Sequence, residues 1–129
     1  MAANIYPELW GSLTFFVPKL DVMFDTNQRG WLDNGNPNIK EEFDYMLGYS
    51  PYQNVKSQIY PPMYFITALN DVNVPPYEAF KMVAKLRANK KNDAPIFLST
   101  DLKGNHYSIN YKNLIHPYIF KFAVHNNIL

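Results

Sequence analysis

The chain has 129 residues and a mass of 15.0 kDa, which fits one ordinary domain or one piece of a larger domain. Hydrophobic residues make up 47% of it, so a sizeable core is available and wholesale disorder is not expected. Twelve Lys and Arg against eleven Asp and Glu leave a formal charge of +1, which argues against a nucleic-acid or anionic-membrane partner. The absence of cysteine excludes disulfides, thiolate zinc sites and a cysteine nucleophile.

Targeting and cofactor motifs are also missing from the sequence. No apolar run reaches the roughly 18 residues that a membrane span requires, and the first residues do not resemble a secretory signal, so we expect a soluble, cytoplasmic protein. The glycines form no nucleotide-binding pattern. His116 and His125 have no carboxylate at the i, i+4 spacing that metal-binding helices use. We therefore predict no metal and no cofactor.

The first half of the chain predicts one strand and one helix. The apolar run Leu13–Val17, closed by proline, is typical of a buried strand. The segment Asp25–Pro37 is rich in Asn, Asp, Gly and Pro and predicts a surface loop. A helix is expected to follow, with Asn36 as its N-cap, Pro37 in its first turn and an apolar face. The residues of that face are Ile39, Phe43, Met46 and Leu47.

The second half predicts two more strands, each followed by a helix. Met63–Leu69 is nearly all apolar, as in a strand buried on both faces. Pro75 and Pro76 open a helix, Pro95–Ser99 predicts another strand, and Leu114–Leu129 has a helical pattern. The inward face expected for the helix after Pro76 consists of Phe80, Val83, Ala84 and Leu86, with Lys81, Lys85 and Arg87 in water. This alternation predicts an α/β fold in which a parallel sheet carries helices on both faces.

Two chemically active side chains follow the predicted strands. Asp71 comes directly after the strand that ends at Leu69, and His106 lies on a loop after the next strand. Ligands of parallel sheets bind at the carboxyl ends of strands, and an acid followed by a histidine is the second half of an α/β-hydrolase triad. In such a pair the carboxylate fixes the imidazole tautomer and stabilises the imidazolium. Spacing alone leaves a plainer alternative open, in which Asp71 forms a turn and His106 is an exposed loop residue.

Three segments carry a resemblance to a known family. They are Tyr45–Pro62, which contains Tyr-Ser-Pro-Tyr-Gln-Asn-Val, then Ala68–Val74 and Met82–Arg87. Gly35–Pro37 and Asn4–Leu9 extend the match toward the start, so that it covers nearly the whole chain. Together they resemble the C-terminal part of prolyl oligopeptidase-family serine peptidases, the oligopeptidase B-like members most of all. The resemblance implies the C-terminal half of an α/β-hydrolase fold. It also implies cleavage of peptide bonds after proline or after basic residues, a choice that this segment does not decide.

The resemblance also implies roles for individual residues. Asp71 matches the triad acid and His106 the triad base. Asn73 stands where the family usually has a substrate-holding arginine, and a neutral amide makes no charge-assisted contact. Tyr107 and Asn105 flank His106 where the family commonly has glycines, and the loop from Asp25 to Asn34 looks shorter than its counterpart. These departures bear on substrate binding and catalysis.

The nucleophile is the largest departure from the family. Its Gly-x-Ser-x-Gly elbow precedes the segment that Asn4–Leu9 matches, so residues 1–129 are expected to form a partial catalytic domain without the elbow and without the β-propeller. Of the five serines (Ser12, Ser50, Ser57, Ser99 and Ser108), only Ser50 approaches the motif. Pro51 follows it and lacks the backbone N–H that the oxyanion hole needs. We therefore expect Ser50 to be a turn residue.

Two functional hypotheses remain from the sequence. In the first, the chain is the C-terminal fragment of a serine oligopeptidase, inactive by itself, whose serine comes from an upstream segment. In the second, it is a non-catalytic pseudo-enzyme or interaction module derived from the same fold. Either way, a sheet beginning at Leu13 is expected to expose one edge, which requires the missing part of the domain or self-association.

Overall fold

The computed structural model describes residues 2–24, 28–108, 121–123 and 125–127. The helices in these ranges are α1 (Ala2–Ile5), α2 (Gln28–Asn34), α3 (Lys40–Tyr49) and α4 (Tyr77–Asn89). The strands are β1 (Leu13–Phe16), β2 (Met63–Ala68) and β3 (Ile96–Asp101), and short 3-10 turns cover Pro7–Leu9 and Val22–Phe24. All three predicted strands are therefore present, each within two residues of its predicted bounds.

The three strands form one parallel sheet in the order β1-β2-β3. Leu13 pairs with Met63 at one side of β2, and Met63 pairs with Ile96 at the other. Every residue of the central strand β2 is buried, as its uninterrupted apolar sequence predicts. Because the strands are parallel, the segments that follow β2 and β3 leave the sheet at the same edge.

The sheet is covered on both faces, which confirms the predicted layers. Met63 and Phe65 of β2 belong to the larger core cluster, which includes Met82, Val83 and Leu86 of α4. Tyr64 and Ile66 point to the opposite face and pack with Phe122, whose ring stacks on Tyr64 at 5.8 Å between centroids. Successive side chains of β2 point to opposite faces of the sheet, so the apolar residues of this strand contribute to two cores.

The region between β1 and α3 differs from the prediction. The predicted loop Asp25–Pro37 contains helix α2, and α3 begins at Lys40 rather than at Pro37. The Asn36 side chain does not cap the helix, because its Oδ1 accepts the N–H of Asn38 at 2.9 Å and closes a local turn. Of the predicted apolar face of α3, only Met46 is buried.

The buried face of α4 is also rotated from the predicted one. Its buried residues are Glu78, Ala79, Met82, Val83 and Leu86, so Phe80 and Ala84 were wrongly assigned to the inward face. Lys81 was expected in water, but its Nζ forms an ion pair with buried Asp21 at 2.5 Å. Glu78 is an acid on the buried face of α4, and a count of apolar positions does not predict that the face includes it.

Most of the predicted helix Leu114–Leu129 lies outside the described residues, as does His116. Residues 121–123 are helical, in agreement with the predicted pattern. Among the described residues, no helix is long and apolar enough to cross a membrane.

Candidate active site

Asp71 is fixed by the turn that ends β2. Its backbone N–H donates to the carbonyl of Ala68 at 3.3 Å, and its side-chain Oδ1 accepts the N–H groups of Asn73 and Val74 at 2.9 and 2.8 Å. The Asp71 side chain is fully buried. Two backbone donors therefore hold one carboxylate oxygen, and the other oxygen, Oδ2, is oriented by them.

The loop after β3 is closed by a second aspartate. Asp101 Oδ1 accepts the N–H groups of Lys103 and Gly104 at 3.0 and 2.8 Å. A Cβ at Gly104 would lie 2.5 Å from Asp101 Oδ2, so a larger residue would displace the side chain that closes this turn. The carbonyl of Gly104 accepts the N–H of Asn70 at 3.2 Å, which ties this loop to the turn that contains Asp71.

These two turns bring Asp71 and His106 together. His106 Nδ1 lies 2.8 Å from Asp71 Oδ2, and the histidine side chain is 27% exposed. Because a carboxylate only accepts hydrogen bonds, the proton of this bond belongs to Nδ1, and Nε2 carries the free lone pair of the neutral ring. A buried carboxylate behind a partly exposed imidazole can orient a general base.

Asn73 and Tyr107 lie beside this pair and contact each other. Asn73 Nδ2 donates to the Tyr107 hydroxyl at 3.2 Å, and both residues are exposed. The Tyr107 ring meets the His106 ring edge to face, with 5.2 Å between centroids. The sequence identified both positions as departures from the family, but nothing in their spacing predicted the bond between them.

Ser50 is unsuited to act as the nucleophile. It is fully buried, its Oγ donates to Gln53 Oε1, and the same oxygen accepts the N–H of Val22 at 3.3 Å. It therefore holds the turn after α3 to the segment after β1. No serine hydroxyl in the described part of the chain is hydrogen-bonded to His106.

A buried acid that the sequence did not reveal lies at the start of α4. Glu78 Oε2 accepts the N–H groups of Leu20 and Asp21 at 3.0 and 2.7 Å. Burial raises the pKa of the Glu78 carboxyl above its usual 4.5, although these two donors and the nearby Lys81 oppose the rise. The sequence offered one signal for this acid, because the three-residue spacing of Glu78 and Lys81 places both charges on one side of a helix.

Lys81 forms a charged cluster with Asp21 and Glu78 and lies above three aromatic rings. Its Nζ lies 5.0, 4.9 and 5.4 Å from the ring centroids of Phe24, Tyr52 and Tyr77. The ammonium group is thus held by Asp21 and by ring faces together. The cluster joins the segment after β1 to α4, whose N-terminus follows the Asp71 turn.

A parallel sheet with an acid and a histidine paired at its carboxyl edge is the arrangement of an α/β-hydrolase domain. Residues 1–126 match the model of the prolyl oligopeptidase family, and the chain belongs to this family of serine peptidases. The resemblance seen in the sequence is thereby confirmed.

Individual relatives agree with this assignment. Protease 2 of Moraxella lacunata is 37% identical over 112 residues, which are 81% of this chain and 16% of that protein. The solved structure of oligopeptidase B from Trypanosoma brucei with covalently bound antipain is 33% identical with a TM-score of 0.85, over 97% of this chain and 19% of that one. Prolyl oligopeptidase B from Galerina marginata, bound to a 35mer hydrolysis and macrocyclization substrate, is 28% identical with a TM-score of 0.72, over 78% of this chain and 15% of that one. The chain thus spans less than a fifth of the length of each.

Proposed function

We propose that residues 1–129 form the C-terminal part of the catalytic domain of a serine oligopeptidase, with Asp71 as the triad acid and His106 as the triad base. The observation that carries the proposal is the 2.8 Å contact between His106 Nδ1 and the buried carboxylate of Asp71. The attacking serine comes from a part of the domain outside this sequence.

The pair has a defined role in peptide hydrolysis. His106 Nε2 takes the proton of the serine hydroxyl as its oxygen attacks the peptide carbonyl, and Asp71 stabilises the imidazolium that forms. The imidazolium then gives this proton to the departing amine, which leaves an acyl-enzyme. Water, deprotonated by the same Nε2, attacks the ester, and the proton returns to serine.

The substrate of the whole enzyme is a peptide. This proposal rests on family membership and on the peptide substrate bound by the Galerina marginata enzyme. Asn73 lies on the turn next to Asp71, and we assign it a neutral contact to the peptide. An amide hydrogen bond holds a peptide more weakly than an arginine at this position.

The partner of this chain is the preceding part of the same catalytic domain. Leu13 and Val17 donate their backbone N–H groups to the carbonyls of Pro62 and Ile66. N–H groups alternate in direction along a strand, so the N–H of Thr14 points to the side of β1 away from β2. The segment before β1 and the end of the strand include exposed apolar side chains: Ile5, Tyr6, Leu9, Trp10 and Phe16. An edge strand that follows such a segment is suited to pair with another strand.

A non-catalytic module is the second candidate function. The observation that favours it is the bulk of Tyr107, whose exposed ring stands beside the imidazole that a serine must reach. In that case the paired Asp71 and His106 only stabilise the two loops.

Labelling with a fluorophosphonate distinguishes the two candidates. We expect no labelling of the purified chain, and labelling after addition of an N-terminal fragment that contains the serine elbow. Substitution of His106 by Ala should abolish the restored labelling, because the serine loses its base. His125→Ala is the matched control and should leave it unchanged.

Two outcomes contradict the proposal. Labelling of Ser50 in the isolated chain would overturn the assignment of the nucleophile to another segment. Restored labelling that is equally strong in His106→Ala and His125→Ala would support the non-catalytic role of the pair.

A further inference from the structure

Asp71, Asn73, Tyr107 and His106 form a closed ring of contacts. Asp71 Oδ2 meets His106 Nδ1 at 2.8 Å, and Asp71 Oδ1 accepts the N–H of Asn73 at 2.9 Å. Asn73 Nδ2 donates to the Tyr107 hydroxyl at 3.2 Å, and the Tyr107 ring lies against the His106 ring. The loops after β2 and β3 are therefore linked by two side-chain contacts, the acid–base pair and the Asn73–Tyr107 bond, in addition to the backbone bond between Asn70 and Gly104.

Tyr107 is hydrogen-bonded through its backbone and through its hydroxyl, although the residue is 83% exposed. Its backbone N–H donates to Asn105 Oδ1 at 3.0 Å, and its hydroxyl accepts the bond from Asn73. The ring planes of Tyr107 and His106 are inclined at 84°, the edge-to-face geometry that aromatic rings favour. A ring so tethered restricts the rotation of the imidazole.

One hydrogen bond at Nδ1 leaves the imidazole free to tilt about that contact. Effective general-base catalysis needs the other nitrogen held within a narrow range of positions. The Tyr107 ring supplies a second contact to the imidazole, and the bond from Asn73 fixes the position of the Tyr107 ring.

We propose that the Asn73–Tyr107 bond is a bridge that positions the imidazole of His106, and that Tyr107 is a positioning residue of this site. The inference rests on the proposed function, in which His106 is the base. It explains the two departures from the family pattern together, because the tyrosine beside the histidine and the asparagine in place of the arginine form one bond.

The test uses NMR of the histidine side chains in the full 129-residue chain labelled with ¹⁵N-histidine, with the His106 signals assigned by their loss in His106→Asn. The quantity measured is the rate at which the His106 Nδ1 proton exchanges with water. Asp71→Asn should accelerate this exchange strongly or remove the signal, because the carboxylate acceptor is lost.

Tyr107→Phe keeps the ring and removes the hydroxyl, and we expect it to accelerate the exchange about fivefold, the size of one ordinary hydrogen bond. Asn73→Ala, which keeps the backbone N–H that donates to Asp71, should have the same effect. The double variant should exchange no faster than either single variant, since both remove one bond. Tyr45→Phe, at a comparably exposed tyrosine, is the matched control and should change nothing.

The outcomes separate the bridge from the proposed function. If Asp71→Asn accelerates the exchange while Tyr107→Phe does not, the bridge is refuted and the acid–base pair stands. If the effects of Tyr107→Phe and Asn73→Ala on the exchange rate add in the double variant, the bridge is likewise refuted. If Asp71→Asn has no effect, the pair itself is absent, and the proposed function and the bridge are overturned together.

Discussion

At the scale of single residues, the clearest contrast is between two fully buried polar side chains, the hydroxyl of Ser50 and the carboxylate of Asp71. Asp71 directs one oxygen to a partly exposed imidazole, whereas Ser50 directs its hydroxyl to Gln53 inside the protein. The sequence predicted that Ser50 is a turn residue, because Pro51 supplies no oxyanion donor, and that Asp71 lies at the sheet edge, because it follows a strand. It also paired Asp71 with His106, but it did not predict that Ser50 contacts Val22 and Gln53, since the bond to Val22 joins segments far apart in the chain.

The structural role of Ser50 leads to a prediction about stability. Ser50→Ala removes the acceptor of the buried Val22 N–H and the donor to Gln53 Oε1, so we expect the free energy of unfolding to fall by about 1–3 kcal/mol. Urea denaturation at one fixed protein concentration measures this. Ser57→Ala, at an exposed serine, is the control and should change it by less than about 0.5 kcal/mol. An unchanged stability of Ser50→Ala would refute the role.

At the scale of the elements, the sheet was predictable and the placement of the helices was only partly so. β2 and β3 follow from apolar runs, and proline marks the start of α4. Helix α2 was missed because Gly30, Asp33 and Asn34 favour loops when judged locally. The orientation of α4 was missed because Glu78 is buried by backbone donors from the segment after β1, and such long-range bonds leave no periodic signal.

The buried Glu78 makes the stability contribution of α4 dependent on pH. Its pKa is higher in the folded chain than its usual 4.5, so the folded state binds the proton more tightly than the unfolded state. The stabilisation is therefore fully present below the unfolded pKa and declines as the pH rises through the folded pKa.

Glu78→Gln removes this titration and keeps a side-chain oxygen for the two N–H donors. We expect the free energy of unfolding of the wild type, relative to Glu78→Gln, to decrease as the pH rises from about 4 to about 7. Urea denaturation of both chains across this interval checks the sign. A difference that stays constant, or that grows with pH, would show that burial does not dominate the titration of Glu78.

At the scale of the whole molecule, the open side of β1 and the apolar residues before it determine how the chain behaves alone. Without its partner segment, we expect the 129-residue chain to self-associate through this edge, because an unpaired strand is a template for pairing. Thr14→Pro removes the outward N–H and keeps the N–H groups by which Leu13 and Val17 bond to Pro62 and Ile66. This variant should be smaller in light scattering at equal concentration, with circular dichroism to verify its fold. A wild-type chain that is a stable monomer at all concentrations would contradict the prediction.

The central claim is that His106, oriented by Asp71, is the general base of a serine peptidase. This chemistry requires the assembled catalytic domain. The most direct measurement is kcat/KM for peptide hydrolysis by the chain combined with the preceding part of the catalytic domain, comparing His106→Ala with His125→Ala. We predict that His106→Ala lowers kcat/KM by about 10⁴-fold or more, through kcat, while His125→Ala leaves it within about twofold of the wild type. Equal activity of the two variants would contradict the account.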